Sequence, residues 1–555
     1  MENSMVTKIF ARRSLAAMGA ALVVIGLAGG QTRASTETVA GAHHPDFILT
    51  AAETALRDAL SGGDLATTDI ADFYERRGYA AIWADKPALV EDLRRFIATA
   101  AEHALPVAKY DLKVLDRLAQ AGSFADRAAA DIEATRLYLN FARDLNSGML
   151  KPSEIDPEIT HKRRIKRADA LLQHVALGID PEAFFAGLVP ADPGYGRLLE
   201  EKKRLQAIVE AGGWGAKVPT GGVLRPGRKY RSVPILRARL TAMGYGDMGT
   251  SRLYDDTLLM IVKLFQARHG LNADGVAGPA TLAAVNTTAQ TRLEQVIVNL
   301  ERMRWLNFDR GARHIFVNLA DYTVDVMDNG VSSFSSRVVI GKTGRDFRTP
   351  EFAHEMTHMV INPYWHVPKS IARREYLPLL KEDNMALAKR GLQLLNRRGQ
   401  ILDTSNGDFS GYSESNFPFN IKQPPGSRNA LGRVKFMFPN RHNIYLHDTP
   451  AKRLFAKERR AYSHGCVRVQ RPFDLAYHLL AQQMDRPESF FQSILKTRRE
   501  KFVNLDQPVP IYLSYHSAFV DDNGVPQYRG DIYRRDGKIL AALKAAGVQA
   551  MSLGG

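Results

Sequence analysis

From Asp46 to Gly212 apolar residues recur every third or fourth position, whereas from His314 onward they recur every second. The first pattern paints a stripe on a helix and the second paints one face of a strand. A chain that changes period in this way cannot be a single layer of one element type. Its 555 residues leave room for several domains with sizeable cores. The expected class is multidomain α+β, with a helical N-terminal scaffold followed by a mainly-β domain.

Within the first part, Ala51–Leu60, Pro87–His103, Lys109–Ala121 and Ala128–Ser147 carry the helical spacing, inside an expected scaffold over 46–228. The aromatic run Phe73, Tyr74 and Tyr79, with Trp83, is read as packing rather than a ligand site. Glycines and prolines from Ala211 to Gly227 mark a boundary. A smaller unit over 229–290 follows, with helices expected at Val233–Met243 and Thr257–His269. A third opens at Pro279, a residue suited to a first helical position.

In the β part, the strand-like runs are His314–Leu319, Tyr322–Met327, Arg337–Ile340, Met359–Ile361, Val434–Phe438, Asn443–Leu446 and Val509–Tyr515. Asp328-Asn329-Gly330 reads as a hairpin turn. The stretch 369–420 interrupts them with a helix-like Glu375–Leu395 and then a polar, Gly/Ser/Asn-rich segment. An insertion of that size in a β domain reads as a lid. Residues 516–555 form an extension with an exposed-looking turn at Asp521–Gly524 and no recognisable motif.

Residues 1–34 have the makings of an export signal: Lys8, Arg12 and Arg13, then apolar Leu15–Leu27, then Thr32-Arg33-Ala34. The expected location is the periplasm or cell envelope, with membrane association only if the signal stays uncleaved. Lysine and arginine number 75 against 59 aspartate and glutamate, a formal charge of +16. That excess suits an acidic wall, anionic lipid or nucleic acid, although no nucleic-acid motif is present and a merely solvated basic surface fits as well.

Export changes the meaning of Cys466, the only cysteine. An internal disulfide is impossible, leaving an inert thiol, an intermolecular bridge or a reactive thiol. Tyr445-Leu446-His447 precedes Ser463-His464-Gly465-Cys466-Val467-Arg468, with Ser463 sixteen residues after His447. A thiolate is the nucleophile, and an imidazole in reach can take the thiol proton and hand it to a leaving amine. Gly465 permits a sharp turn whose N–H groups can face an oxyanion. Lys457, Arg459, Arg460 and Arg468 add positive potential. On chemistry alone, a cysteine and a histidine remain equally compatible with a structural thiol.

Two other patterns compete. His354-Glu355-Met356-Thr357-His358 satisfies a zinc-peptidase signature, which needs both histidines on one helix face. Here the run leads into a strand-like segment between Pro350 and Pro363, and strand residues four apart lie about 13 Å from each other. Gly341-Lys342-Thr343 suggests a phosphate loop, but Ser336 stands where the first glycine belongs.

The run from His447 through Arg468 resembles the L,D-transpeptidase (YkuD-type) catalytic domain: a histidine, a gap of about sixteen residues, then Ser/Thr-His-Gly-Cys-x-Arg/Asn. Gly341-Lys342-Thr343, Thr349-Pro350 and Asn362 to Pro368 are similar to other stretches of that family. The unit over 229–290 resembles a three-helix peptidoglycan-binding module through Phe265-Gln266, Gly270-Leu271, Asp274-Gly275, Gly278-Pro279 and Thr281-Leu282. Together they point to the large, lid-bearing branch, with the catalytic domain over 300–515. The resemblance implies Cys466 as nucleophile and His447 as base. Ser463, His464 and Gly465 would shape the oxyanion loop, and Arg468, Trp365 and Tyr445 would contact substrate. It implies transfer from a tetrapeptide stem, with release of D-Ala, to an amine of a second stem. L,D-carboxypeptidase action and protein anchoring use the same site. No cofactor or metal is implied. A zinc peptidase at His354 and His358 and a non-catalytic wall-binding protein are the readings from other classes.

Overall fold

The computed structural model describes residues 49–61 and 68–549; the expected export signal, 1–34, lies outside the described residues. No helix among the described residues is long and apolar enough to cross a membrane.

Scaffold helices form where the apolar spacing places them, at Ala51–Ser61, Pro87–Ala98, Lys113–Gln120 and Phe124–Ser147. The last begins at Phe124 rather than Ala128 because the Ser123 side chain accepts from the Asp126 amide and caps it. Phe73, Tyr74 and Trp83 are buried in the scaffold core. Beside them, buried Asp131 accepts from the Tyr74 hydroxyl and from the amides of Ile82, Trp83 and Ala84. A buried carboxylate with four donors is a satisfied structural group.

The second unit has three helices, Val233–Ala242, Asp256–Arg268 and Pro279–Asn286. Its sequence motif has a physical reason. Gln266 accepts from the Gly275 amide and donates to Asp274, the Val276 carbonyl and Thr281, which pins the turn to two helices. Gly275 has φ +76°, and a Cβ there would sit 2.1 Å from Leu259.

Among the described residues the strands are, in chain order, β1 Arg313–Asn318, β2 Thr323–Asp328, β3 Val331–Gly341, β4 Phe352–Ile361, β5 Trp365–His366, β6 Gln393–Leu395, β7 Ile401–Leu402, β8 Asn420–Gln423, β9 Val434–Met437, β10 Leu446–His447, β11 Ala461–Ser463, β12 Val467–Val469, β13 Lys501–Ser514, β14 Ala518–Val520 and β15 Pro526–Tyr528. Nine form the main sheet in the order β11-β3-β12-β10-β9-β4-β13-β1-β2. A further β2–β3 pairing closes it on itself around buried residues that include Val326, Met359, Phe436 and Val467. Asn329 and Gly330, both at positive φ, make the tight β2–β3 turn.

Two sequence expectations need correction, and the C-terminal extension gains a structural role. The lid is not a helix followed by a polar loop: Gly391, at φ +69°, ends the helical part. Gln393–Leu395 then becomes a strand in a small sheet ordered β5-β8-β6-β7. The inserted segment therefore forms a small subdomain from Trp365 to Gln423, with its own apolar core including Leu380, Leu394 and Phe417. Asn443–Leu446 is not all strand. Asn440 uses its side chain to bind the carbonyls of Phe438 and Ile444 and the His442 amide, bending the chain so that Asn443 takes φ +53°. The C-terminal extension is a buttress. Its hairpin β14–β15 and helix Asp536–Ala545 pack on helix Ala289–Trp305, and Arg535 and Asp536 are buried.

Candidate active site

Register places the chemistry. Strands β10 and β12 are parallel neighbours, with Leu446 opposite Val467 and His447 opposite Arg468. On the other side of β10, Lys435 of antiparallel β9 lies opposite His447. Side chains alternate along a strand. Leu446, Val467 and Val469 point into the core, so Tyr445, His447, Cys466, Arg468 and Lys435 share the outer face. Three short strands thus bring together residues spread from 435 to 468.

His447 is buried, and its Nδ1–H donates to the Asp448 carbonyl at 2.5 Å. A carbonyl can only accept, so Nε2 is left with its lone pair. Burial, and next the Arg468 charge, lower the imidazole to about 3, partly offset by the carbonyls of Asp448 and Leu431. His447 is therefore neutral at physiological pH. The Asp448 carboxylate holds the loop behind it, accepting from the amides of Arg433 and Thr449 and from Lys452. Gly432 is needed there, because a Cβ would sit 2.3 Å from Asp448.

Cys466 is a half-buried free thiol whose Sγ donates to the Asn443 carbonyl at 3.6 Å. Burial pushes the thiol up to about 11, while the backbone and side chain of Tyr445, then Arg468 and Lys435, pull it back. With the thiol raised and the imidazole lowered, the surroundings of each group favour its neutral form over a thiolate or an imidazolium. The cations acting on the sulfur also differ from the sequence expectation. Arg460 lies over the Tyr322 ring and Arg459 reaches Thr343, whereas Lys435, absent from the expected set, acts on Cys466. Among the described residues Arg468 has no ion-pair partner, and its buried Nε is unsatisfied.

The turn before the cysteine is internally braced. Ser463 Oγ donates to the Cys466 carbonyl and accepts from the Gly465 amide. Thr349 Oγ1 donates to the Gly465 carbonyl at 2.7 Å and accepts from the Gly341 amide. The Tyr533 hydroxyl, from the C-terminal extension, donates to the Gly341 carbonyl and accepts from the Thr349 amide. Gly465 has φ +116°, and a Cβ would come 3.1 Å from Ile444. Gly465→Ala is expected to strain the turn by about 1–3 kcal/mol and to slow acylation of Cys466 at least about tenfold. Timed intact-mass spectra with a β-lactam would show it; an unchanged rate would count against this geometry.

His464 reaches the inserted segment, where its Nε2 donates to Glu375 Oε1 at 2.5 Å. Glu375 lies in a π-helical turn, Ala372–Tyr376, a form frequent at functional positions. Trp365 packs in the lid with its ring against Tyr376. His354 and His358 both lie on β4, opposite Ile511 and Asn504 of β13, so the helical face a zinc peptidase requires is not formed. Sequence reasoning missed Lys435, Asn443, Glu375, Thr349 as a brace, and Tyr533. Only Thr349 had a signal, through the Thr349-Pro350 resemblance.

The L,D-transpeptidase catalytic domain family matches residues 312–497. A scaffold domain matches residues 68–201, and a provisionally described peptidoglycan binding domain matches residues 230–285. A Haemophilus influenzae protein provisionally named an L,D-transpeptidase is 29% identical over 260 residues, 46% of this chain. The match takes in 51% of that protein, so the chain spans about half the length of this curated relative. A solved L,D-transpeptidase from Stackebrandtia nassauensis is 15% identical, covering 54% of this chain and 97% of its own, with a TM-score of 0.21. One from Xylanimonas cellulosilytica is 14% identical, covering 54% and 98%, with a TM-score of 0.15. Overlays that loose add nothing to the domain matches.

Proposed function

For a chain that carries an L,D-transpeptidase catalytic domain beside a scaffold domain and a peptidoglycan binding domain, we propose peptidoglycan cross-linking at the cell envelope through a Cys466 thioester. The observation that carries this is the shared outer face of His447 and Cys466, with Nε2 of His447 unprotonated.

In the proposed reaction His447 Nε2 takes the Cys466 proton as sulfur attacks the carbonyl of the third, L-centred residue of a tetrapeptide stem. The carbonyl π electrons move to oxygen. The Cys466 N–H, uncommitted among the described residues, would meet that oxyanion. Collapse expels the D-Ala amine, which leaves with the proton from His447, and a thioester remains. The side-chain amine of a second stem then attacks, the thiol is released, and a 3→3 cross-link forms. Arg468, an unpaired cation two residues from the nucleophile, suits a substrate carboxylate. Tyr445 lines the thiol. The lid, joined to the catalytic turn by Glu375 and His464, would exclude water and favour an amine acceptor. Water in that role would make the enzyme an L,D-carboxypeptidase, and a protein lysine would make it an anchoring enzyme.

The test is intact mass after carbapenem treatment, followed by incubation of untreated protein with disaccharide tetrapeptides. One adduct, mapped to Cys466, and 3→3 dimers are expected. No adduct on folded protein would overturn the thioester. An adduct with only tripeptide products would make the chain a carboxypeptidase.

A further inference from the structure

We propose that the basic cleft between the segment His161–Arg167, strand β4 and the loop Asn440–His442 binds a carboxylate-bearing peptide stem of a wall strand. This rests on the wall-acting reading above and assigns a place to a strand beyond the thiol itself.

The segment His161-Lys162-Arg163-Arg164-Ile165-Lys166-Arg167 lies between helices Pro152–Ile155 and Ala168–Leu177, without regular secondary structure, and passes against the main sheet. Backbone bonds fix its start. The Thr160 amide donates to the Glu351 carbonyl at 2.8 Å, and the Glu351 amide donates to Glu158. The buried His161 ring meets the Leu513 carbonyl at 3.0 Å. A firmly seated strap thus presents exposed Lys162, Arg164, Lys166 and Arg167.

Beside it lies a cleft of about 1000 Å³. Lys162, Arg163 and Arg164 line it together with Arg310 and Arg441, against Asp309 and Glu355 as the lining acids, and the His442 imidazole beside them is held below its ordinary value by burial and by Arg441. Some of these cations are committed. Arg310 pairs with Asp192 at 2.6 Å, and Arg163 donates to the Gly148 carbonyl. Among the described residues Lys162, Arg164 and Arg441 have no carboxylate partner. The Arg164 guanidinium lies 4.2 Å from the Phe308 ring centroid, which orders its fork without neutralising it. Ordered, unpaired guanidinium groups suit planar carboxylates. A cleft of this size sits at the upper end for ligand sites and suits a peptide rather than a small ion.

The far wall has a direct link to the thiol. Asn443 directly follows Arg441-His442, and its carbonyl accepts from Cys466 Sγ. A stem seated in the cleft therefore lies against the same loop that holds the nucleophile.

The experiment compares unmodified full-length protein with the Lys162→Gln/Arg164→Gln double variant. Both residues are exposed and outside the thiol site. The probe is a fluorescent disaccharide tetrapeptide with free carboxylates, or with the same carboxylates amidated, titrated at about 50 and about 300 mM salt. Expected are a Kd raised at least about tenfold in the variant, a similar loss on amidation, and weaker binding in high salt. The rate of carbapenem addition to Cys466 should not move. Equal Kd values for the variant and the unmodified protein would overturn the proposal. So would salt-insensitive binding by the unmodified protein, which needs no variant to detect. A variant that keeps stem binding but loses binding to phosphatidylglycerol vesicles would assign the cleft to a membrane surface instead, against the proposal. If carbapenem forms no adduct, the thioester reading fails. If the adduct forms and the cleft takes no stem, only this inference fails.

Discussion

Alkylation of Cys466 by iodoacetamide should accelerate about tenfold per pH unit, about a thousandfold between about pH 7 and about pH 10. The sign follows from the surroundings of the sulfur. Burial disfavours the thiolate and pushes the thiol up to about 11, more than Tyr445, Arg468 and Lys435 pull it down. Below that value each pH unit multiplies the thiolate fraction by ten. A preformed thiolate–imidazolium pair would give a rate already flat at neutral pH. His447, lowered to about 3 by burial and by Arg468, stays neutral throughout and adds no inflection between about pH 5 and about pH 8. Acylation by a β-lactam at neutral pH should then depend on His447 taking the proton during attack. His447→Gln should slow that acylation about 10²–10⁴-fold while leaving alkylation at about pH 10 nearly intact. Cys466→Ala should abolish both. A plateau in the alkylation rate below about pH 8 would sink the neutral-pair description.

Arg535→Met should destabilise the protein by about 3–5 kcal/mol, because it removes one partner from a buried charge network. Arg535 is fully buried and binds Glu351 and Glu158, each at 3.1 Å. Glu351 is held from the other side by buried Arg302 at 2.6 Å. The Arg535 guanidinium also donates to the Thr349 carbonyl, and Thr349 braces Gly465. Loss of stability should therefore come with slower acylation of Cys466. The double variant Arg535→Met/Glu351→Leu should recover part of the stability, since it removes the stranded carboxylate along with its partner. Chemical denaturation with a fluorescence readout measures both. A single variant as stable as the unmodified protein would mean that the C-terminal segment does not buttress the fold.

The lid and the C-terminal segment show where local reading stops. Leucines over Glu375–Leu395 keep a helical spacing, but Gly391 lies inside that window, and Gln393–Leu395 pairs with Ile401–Leu402 on one side and with Asn420–Lys422 on the other. Strand pairing across such a gap leaves no local periodic mark. Likewise nothing in Arg529–Ala545 advertises that Tyr533 reaches Gly341 and Thr349.

The sequence by itself determined the order of helical and β parts and the three-helix unit. It also offered Cys466 and His447 as candidates, because apolar period, capping residues and short motifs are properties of residues near one another in the chain. The tertiary structure alone decided the electrostatic state of that thiol. Lys435, Arg468 and the Asn443 carbonyl meet Cys466 only through the register of β9, β10 and β12. It also decided what braces the turn before Cys466. Contacts from residues 349, 375 and 533 exist only once the sheet closes and the lid and extension dock, and burial, which sets the protonation of Cys466 and His447, is a property of that packing.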